Sequence, residues 1–102
     1  MARALLVVKV PVVNRRDYTM YLELYSNMLW FHTDVFKWTP EVKKEYLKDL
    51  EVLQHLVTVP LAAMLDKEDN KLVKFAETIG FKHVQPFVGQ DNRMYLIYSR
   101  GL

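Results

Sequence analysis

The order of hydrophobic and polar positions changes period several times along the chain, and each change predicts an element. Ala4 to Val10 is aliphatic and β-branched and reads as a strand, with Pro11 marking an exit from the sheet or an edge position. Asn14 to Asp17 is a polar break. From Tyr18 to Leu24 the period is two: Tyr18, Met20, Leu22 and Leu24 fall on one side, and Thr19, Tyr21 and Glu23 on the other. Ser26-Asn27 fits a tight turn, and Met28 to Phe36 continues as an aromatic-rich strand, so the stretch predicts a β-hairpin. A single buried helix is the competing reading, because Tyr, Leu and Met also occupy every side of a helical wheel.

Thr39-Pro40-Glu41 places a capping hydroxyl, a first-turn proline and an acid in the order that starts a helix. Val42, Tyr46, Leu50, Leu53 and Val57 then form one apolar stripe, while Lys43, Lys44, Lys48, Asp49 and Glu51 cover the solvated side, so the helix runs to about His55. Val57 to Met64 reads as a buried strand, or as a helix starting at Pro60. Asp69 or Asn70 can cap a second helix, whose apolar face is Leu72, Phe75, Ala76 and Ile79. Gly80 can take the left-handed conformation that ends it, and Phe81 can fold back on the last turn. Val84 to Val88 and Met94 to Tyr98 are two further strands around the turn Gly89 to Asn92. The predicted order is β-ββ-α-β-α-β-β, a mixed α/β sheet with two main helices crossing it.

Composition narrows this picture without naming a function. The 102 residues suit one domain spanning positions 1–102, and 51% hydrophobic with 25% charged residues is a globular balance. No cysteine is present, which excludes disulfides, thiolate metal sites and cysteine nucleophiles together and fits a reducing compartment. Ala4 to Val8 is too short for a membrane span and has no cleavage pattern like that of a signal peptide, so no membrane role is expected. A net charge of +2, from 14 basic and 12 acidic residues spread along the chain, gives no basic footprint for nucleic acid.

Chemistry-bearing residues are sparse. His32 and Asp34 would share a face on a strand and could pair a base with its orienting carboxylate, although an exposed polar strand side is the plainer reading. His55 sits where a helix C-terminus favours positive charge, His83 sits at a strand start, and no pair of histidines has metal-ligand spacing, so no metal site is expected. Ser26 and Ser99 lack a nucleophile-elbow context. Tyr18, Tyr21, Tyr25, Trp30, Phe31, Phe36 and Trp38 are too many for one small core, so some should lie on an exposed contact patch; Tyr21 and Trp38 are the expected partner-binding residues.

From Met28 to Arg100 the chain resembles the GNAT N-acetyltransferase fold: strand, long helix, strand, a helix ending in Gly-Phe, and two closing strands. The most specific piece is Phe75-Ala76-Glu77-Thr78-Ile79-Gly80-Phe81, which is similar to that family's aromatic, tyrosine, Glu, Lys, x, Gly, Phe helix end. Trp30-Phe31, Lys43 to Lys48 and Thr78-Ile79-Gly80 resemble small acetyltransferase-like proteins of tailed bacteriophages, of the internal virion protein type. Active family members hold acetyl-CoA pyrophosphate in a glycine-containing loop before the long helix. The matching segment here, Asp34 to Pro40, has no glycine, carries Phe36 and Trp38 and loses an N–H at Pro40; only Lys37 and Thr39 could meet a phosphate. The tyrosine that protonates the departing thiolate is replaced by Ala76.

The resemblance and its departures imply a truncated GNAT-like domain with no catalytic residues and no cofactor. It would work by binding a phage or bacterial protein in a virion, assembly or host-interaction role, in the bacterial cytoplasm or the virion. The rivals are a divergent acyl-CoA-dependent N-acetyltransferase, in which Glu23 could serve as base, and a nucleic-acid-binding module using Lys43, Lys44 and Lys48.

Overall fold

The computed structural model describes residues 9–101. Its elements follow in the order β1 (Val10–Asn14), β2 (Tyr18–Tyr25), β3 (Met28–Val35), α1 (Pro40–Leu56), β4 (Leu61–Asp66), α2 (Asn70–Thr78), β5 (Lys82–Val88) and β6 (Met94–Arg100). They build one six-stranded sheet in the order β1-β2-β3-β4-β6-β5. All pairs are antiparallel except β3 with β4, which α1 joins as a crossover. The expected mixed α/β order is therefore the one observed.

The hairpin reading prevails over the single helix because Ser26 and Asn27 adopt φ of 55° and 62°, the left-handed pair a two-residue hairpin turn needs. That turn fixes the register from Tyr25 opposite Met28 to Tyr18 opposite Val35. The first strand differs from expectation. Positions 4–8 lie outside the described residues, and the observed β1 begins at Val10, includes Pro11 and runs to Asn14 as an edge strand with an irregularity near Val12. An edge is where a residue without an N–H is tolerated.

The expectation of a strand over Val57 to Met64 is correct in kind and displaced in sequence. Val57 caps α1 by donating its N–H to Leu53 O at 3.1 Å, and β4 starts only at Leu61, directly after Pro60. A helix from Pro60 does not form. Both helix starts are capped as their sequences predict: Val42 N donates to Thr39 Oγ1 and Leu72 N to Asp69 Oδ1, each at 3.1 Å. The second helix stops in a Schellman arrangement, with Phe81 N donating to Ala76 O at 3.0 Å and Gly80 N to Glu77 O at 3.1 Å. Gly80 has φ +97°, which a side chain would strain.

Both helices pack on one face of the sheet. Tyr46 of α1 meets Tyr18 of β2 edge-on at 4.8 Å between ring centroids, and Phe81 after α2 meets Phe31 of β3 at 5.5 Å. Arg100 of β6 ties the layers together, donating to Ile79 O at 3.0 Å, to Gln54 Oε1 at 3.3 Å and to Glu51 Oε1 at 3.1 Å. The core is Tyr18, Met20, Phe31, Leu61, Ala63 and Leu65 from the strands against Val42, Tyr46, Leu50, Leu53 and Ala76 from the helices. Among the described residues no helix lies on the opposite face of the sheet.

Candidate functional site

The parallel pair β3–β4 is hydrogen-bonded only around Leu29–Leu61 and Trp30–Ala62, after which the two strands part. The parting opens a cleft whose walls include Phe31, His32 and Thr33 from one strand and Ala63, Met64 and Leu65 from the other, with Phe75 and Ala76 of α2 behind. Its volume of about 140 Å³ is below the several hundred Å³ that bind a drug-sized molecule. Beyond it a wider hollow of about 450 Å³ lies between Val35 and Trp38 and the N-terminal part of α2, at Asp69, Lys71 and Leu72.

His32 is the one ionisable side chain lining the inner cleft among the described residues. Its Nε2 lies 2.7 Å from Glu23 Oε1. A carboxylate only accepts, so Nε2 is the nitrogen that donates in this bond. Asp34, the neighbour the sequence offered as a partner, instead accepts from Tyr21 Oη at 2.8 Å. The register explains the exchange: Tyr21 faces His32 and Glu23 faces Trp30, so each side chain reaches its partner diagonally across the hairpin. The two-residue turn at Ser26-Asn27 carried that register and was the signal from which His32–Glu23 could have been found. Glu23 is thus a partner of His32 rather than a lone base.

The segment from Phe36 to Val42 has few donors to offer an anion. Phe36 N and Lys37 N both donate to Asp17 O, at 2.8 and 3.3 Å, Val42 N is held by Thr39 Oγ1, and Pro40 has no N–H. Glu41 adds a carboxylate to the first turn of α1. Trp38 spans the two helices, its ring edge-on to Tyr46 at 5.4 Å and to Phe75 at 5.1 Å, and it is 38% exposed. Lys37 is exposed on the outer side of this segment. The N–H groups of Phe36, Lys37 and Val42 are thus engaged within the chain, and the segment has no glycine to let a phosphate approach the backbone closely.

Tyr46 is fully buried, and its hydroxyl has no hydrogen-bond partner among the described residues. Thr33, close enough to oppose the shift slightly, donates its hydroxyl to Thr19 O at 2.8 Å, and burial pushes the Tyr46 phenol up to about 12. Ala76, at the position of the family's acid, is buried and offers no proton. Tyr98 is a core residue whose hydroxyl donates to Glu77, and its ring lies 5.5 Å from His83, while Tyr95 at the rim donates to Asp91. His55 is exposed in the last turn of α1. Lys43, Lys44 and Lys48 lie exposed on the outer side of α1. Tyr21 is half-buried on the helix-free face, so the structure places Tyr21 and Trp38 on different surfaces.

No family model matches the chain, and no curated protein matches it. Among solved structures it is similar to one from Bordetella pertussis described as a GnaT-family acetyltransferase, with a TM-score of 0.64 at 14% sequence identity. The match covers 89% of this chain, which spans 61% of that structure's length. The chain therefore has a GNAT-like fold.

Proposed function

We propose that this GNAT-like domain works by binding another protein rather than by acetyl transfer. The observation that carries this reading is the segment before α1, where Phe36, Lys37 and Val42 already bond their N–H groups internally and Pro40 has none. Two further features support it. Trp38 fills the space between Tyr46 and Phe75 with a bulky ring at the start of the long helix, and the inner cleft holds only about 140 Å³. Ala76 leaves the thiolate of an acyl carrier without a proton donor.

The His32–Glu23 pair is an oriented base without a donor site to serve, and it reads better as part of a polar surface. A bacteriophage setting, as a virion, assembly or host-interaction component, rests on the likeness of Trp30-Phe31, Lys43 to Lys48 and Thr78-Ile79-Gly80 to small phage proteins.

Isothermal calorimetry with acetyl-CoA tests the proposal. The expected result is no heat of binding with ligand at about 1 mM, which bounds the interaction to weaker than about 4 kcal/mol. Binding in the micromolar range overturns it and restores the acetyltransferase reading.

A further inference from the structure

One row of paired residues crosses the helix-free face of the sheet. Glu23 faces Trp30, Trp30 faces Ala62, Ala62 faces Ser99, and Ser99 faces Lys82. Paired residues point to the same side, so the row reads acid, large aromatic, two small residues, base. The two small side chains leave a hollow of about 500 Å³, rimmed by Met28, Val84 and Ile97. None of the residues lining it is charged. At a strand spacing of about 4.8 Å, Glu23 stands about 10 Å from Ala62 along the row, the span of about three extended residues.

Charge flanks the hollow on both sides: Lys82 pairs with Ser99 at one end of the row, and Glu23 stands beyond Trp30 at the other. Glu23 Oε1 is engaged by His32 and Asp34 Oδ2 by Tyr21, which leaves each carboxylate a second oxygen for a cationic donor. The chain's own Lys9 already sits here, its ammonium 5.5 Å from the centre of the Tyr21 ring. The lysines of α1 lie on the opposite layer. Nucleic acid is disfavoured on the sheet face, because its phosphates would meet Glu23 and Asp34.

We infer that the helix-free face docks a partner protein's segment in which a large uncharged side chain enters the hollow over Ala62 and Ser99 while a lysine or arginine beside it meets Glu23. The inference rests on the binding reading above and adds to it a surface and a partner chemistry. Lys82 at the far end of the row orients the segment, since it repels a basic residue placed on that side. An apolar anchor in a dry pocket with a charged neighbour at the rim is the arrangement that concentrates binding energy in few contacts.

The test is a display selection of random twelve-residue peptides on the intact chain, followed by fluorescence anisotropy with the best peptide. Enriched peptides should pair an aliphatic or aromatic residue with Lys or Arg two to four positions away. Affinity should fall about tenfold or more in Val84→Asp and again in Met28→Asp, at opposite rims of the hollow, and should weaken in Glu23→Gln, which keeps an acceptor for His32. Lys48→Glu on α1 should leave it unchanged. Selection of no peptide, of peptides without that pairing, or of peptides indifferent to both rim variants overturns the inference. Peptides that lose affinity in Lys48→Glu overturn this face while leaving the binding reading in place. Acetyl-CoA binding in the calorimetry would overturn that reading and not the peptide result.

Discussion

The two faces of the sheet are made by the same strands, and β4 shows the contrast: Leu61, Ala63 and Leu65 are buried under the helices, while on the other face Met64 is 43% exposed and only the small Ala62, low between Trp30 and Ser99, is buried. On the covered face Tyr18, Met20 and Phe31 pack against Tyr46, Leu50 and Phe81. On the bare face Tyr21 bonds Asp34 and Glu23 bonds His32, so the polar groups satisfy one another in place of a second layer. The first face is held by excluded water and the second by cross-strand pairs, and only the second can still accept a partner without unfolding.

Truncation separates the faces most sharply. Leu50→Ala, under no solvent exposure, should lose about 2–5 kcal/mol, whereas Met64→Ala should lose less than about 1. Urea unfolding midpoints at unchanged m-value measure both. Equal losses would mean that the sheet's second face is also covered. A smaller effect is expected at the closing turn of α2. Gly80→Ala puts a side chain at φ +97° and a Cβ 3.1 Å from Arg100 Nε, the residue that clasps both helices. The expected cost is about 1–2 kcal/mol, with faster exchange of the Phe81 amide that bonds Ala76 O; an unchanged melting temperature would show that the turn is not a constraint on the covered layer.

The smallest effect concerns the corner where β1 and β2 meet α1. Arg15 grips Asp49 with two hydrogen bonds of 2.9 Å, and Tyr18 Oη donates to the same carboxylate at 2.5 Å. The Arg15 contact, helped by Tyr18, holds the Asp49 carboxyl below its usual range against the opposing pull of burial. A depressed acid contributes stability above its unfolded pKa of about 4 and loses it as pH falls through the folded value. Asp49→Asn should therefore cost about 1 kcal/mol near pH 7, discounted because Arg15 is half-open to water. The difference from the parent should shrink below about pH 4. A gap that stays constant down to pH 3 would contradict the ion-pair account.

Much of the fold was legible because its signals are local. Thr39 and Asp69 cap where the sequence places caps, Gly80 stops α2 where only a residue without Cβ is at ease, and the period of two from Tyr18 to Leu24 gives a strand. The displaced β4 shows the limit: Val57 to Val59 looks as strand-like as Leu61 to Leu65, and the exit of α1 together with Pro60 decides between them. The candidate site was legible only in part. His32 and Asp34 share a face as expected, yet their bonds go to Glu23 and Tyr21, because contact across a hairpin follows register rather than distance along the chain. The hollow at Ala62 and Ser99 had no sequence signal at all, since it needs β4 beside β6.

The order of the elements, the helix caps and the loss of a donor at Pro40 are local matters, readable from the chain because capping, periodicity and a missing N–H act within a few residues. That both helices lie on one face, and that the other carries an apolar hollow between Glu23 and Lys82, is a matter of tertiary packing. A strand's alternation says that two faces exist and differ, while which face is covered depends on how the β3–α1–β4 and β4–α2–β5 connections bring their helices to rest.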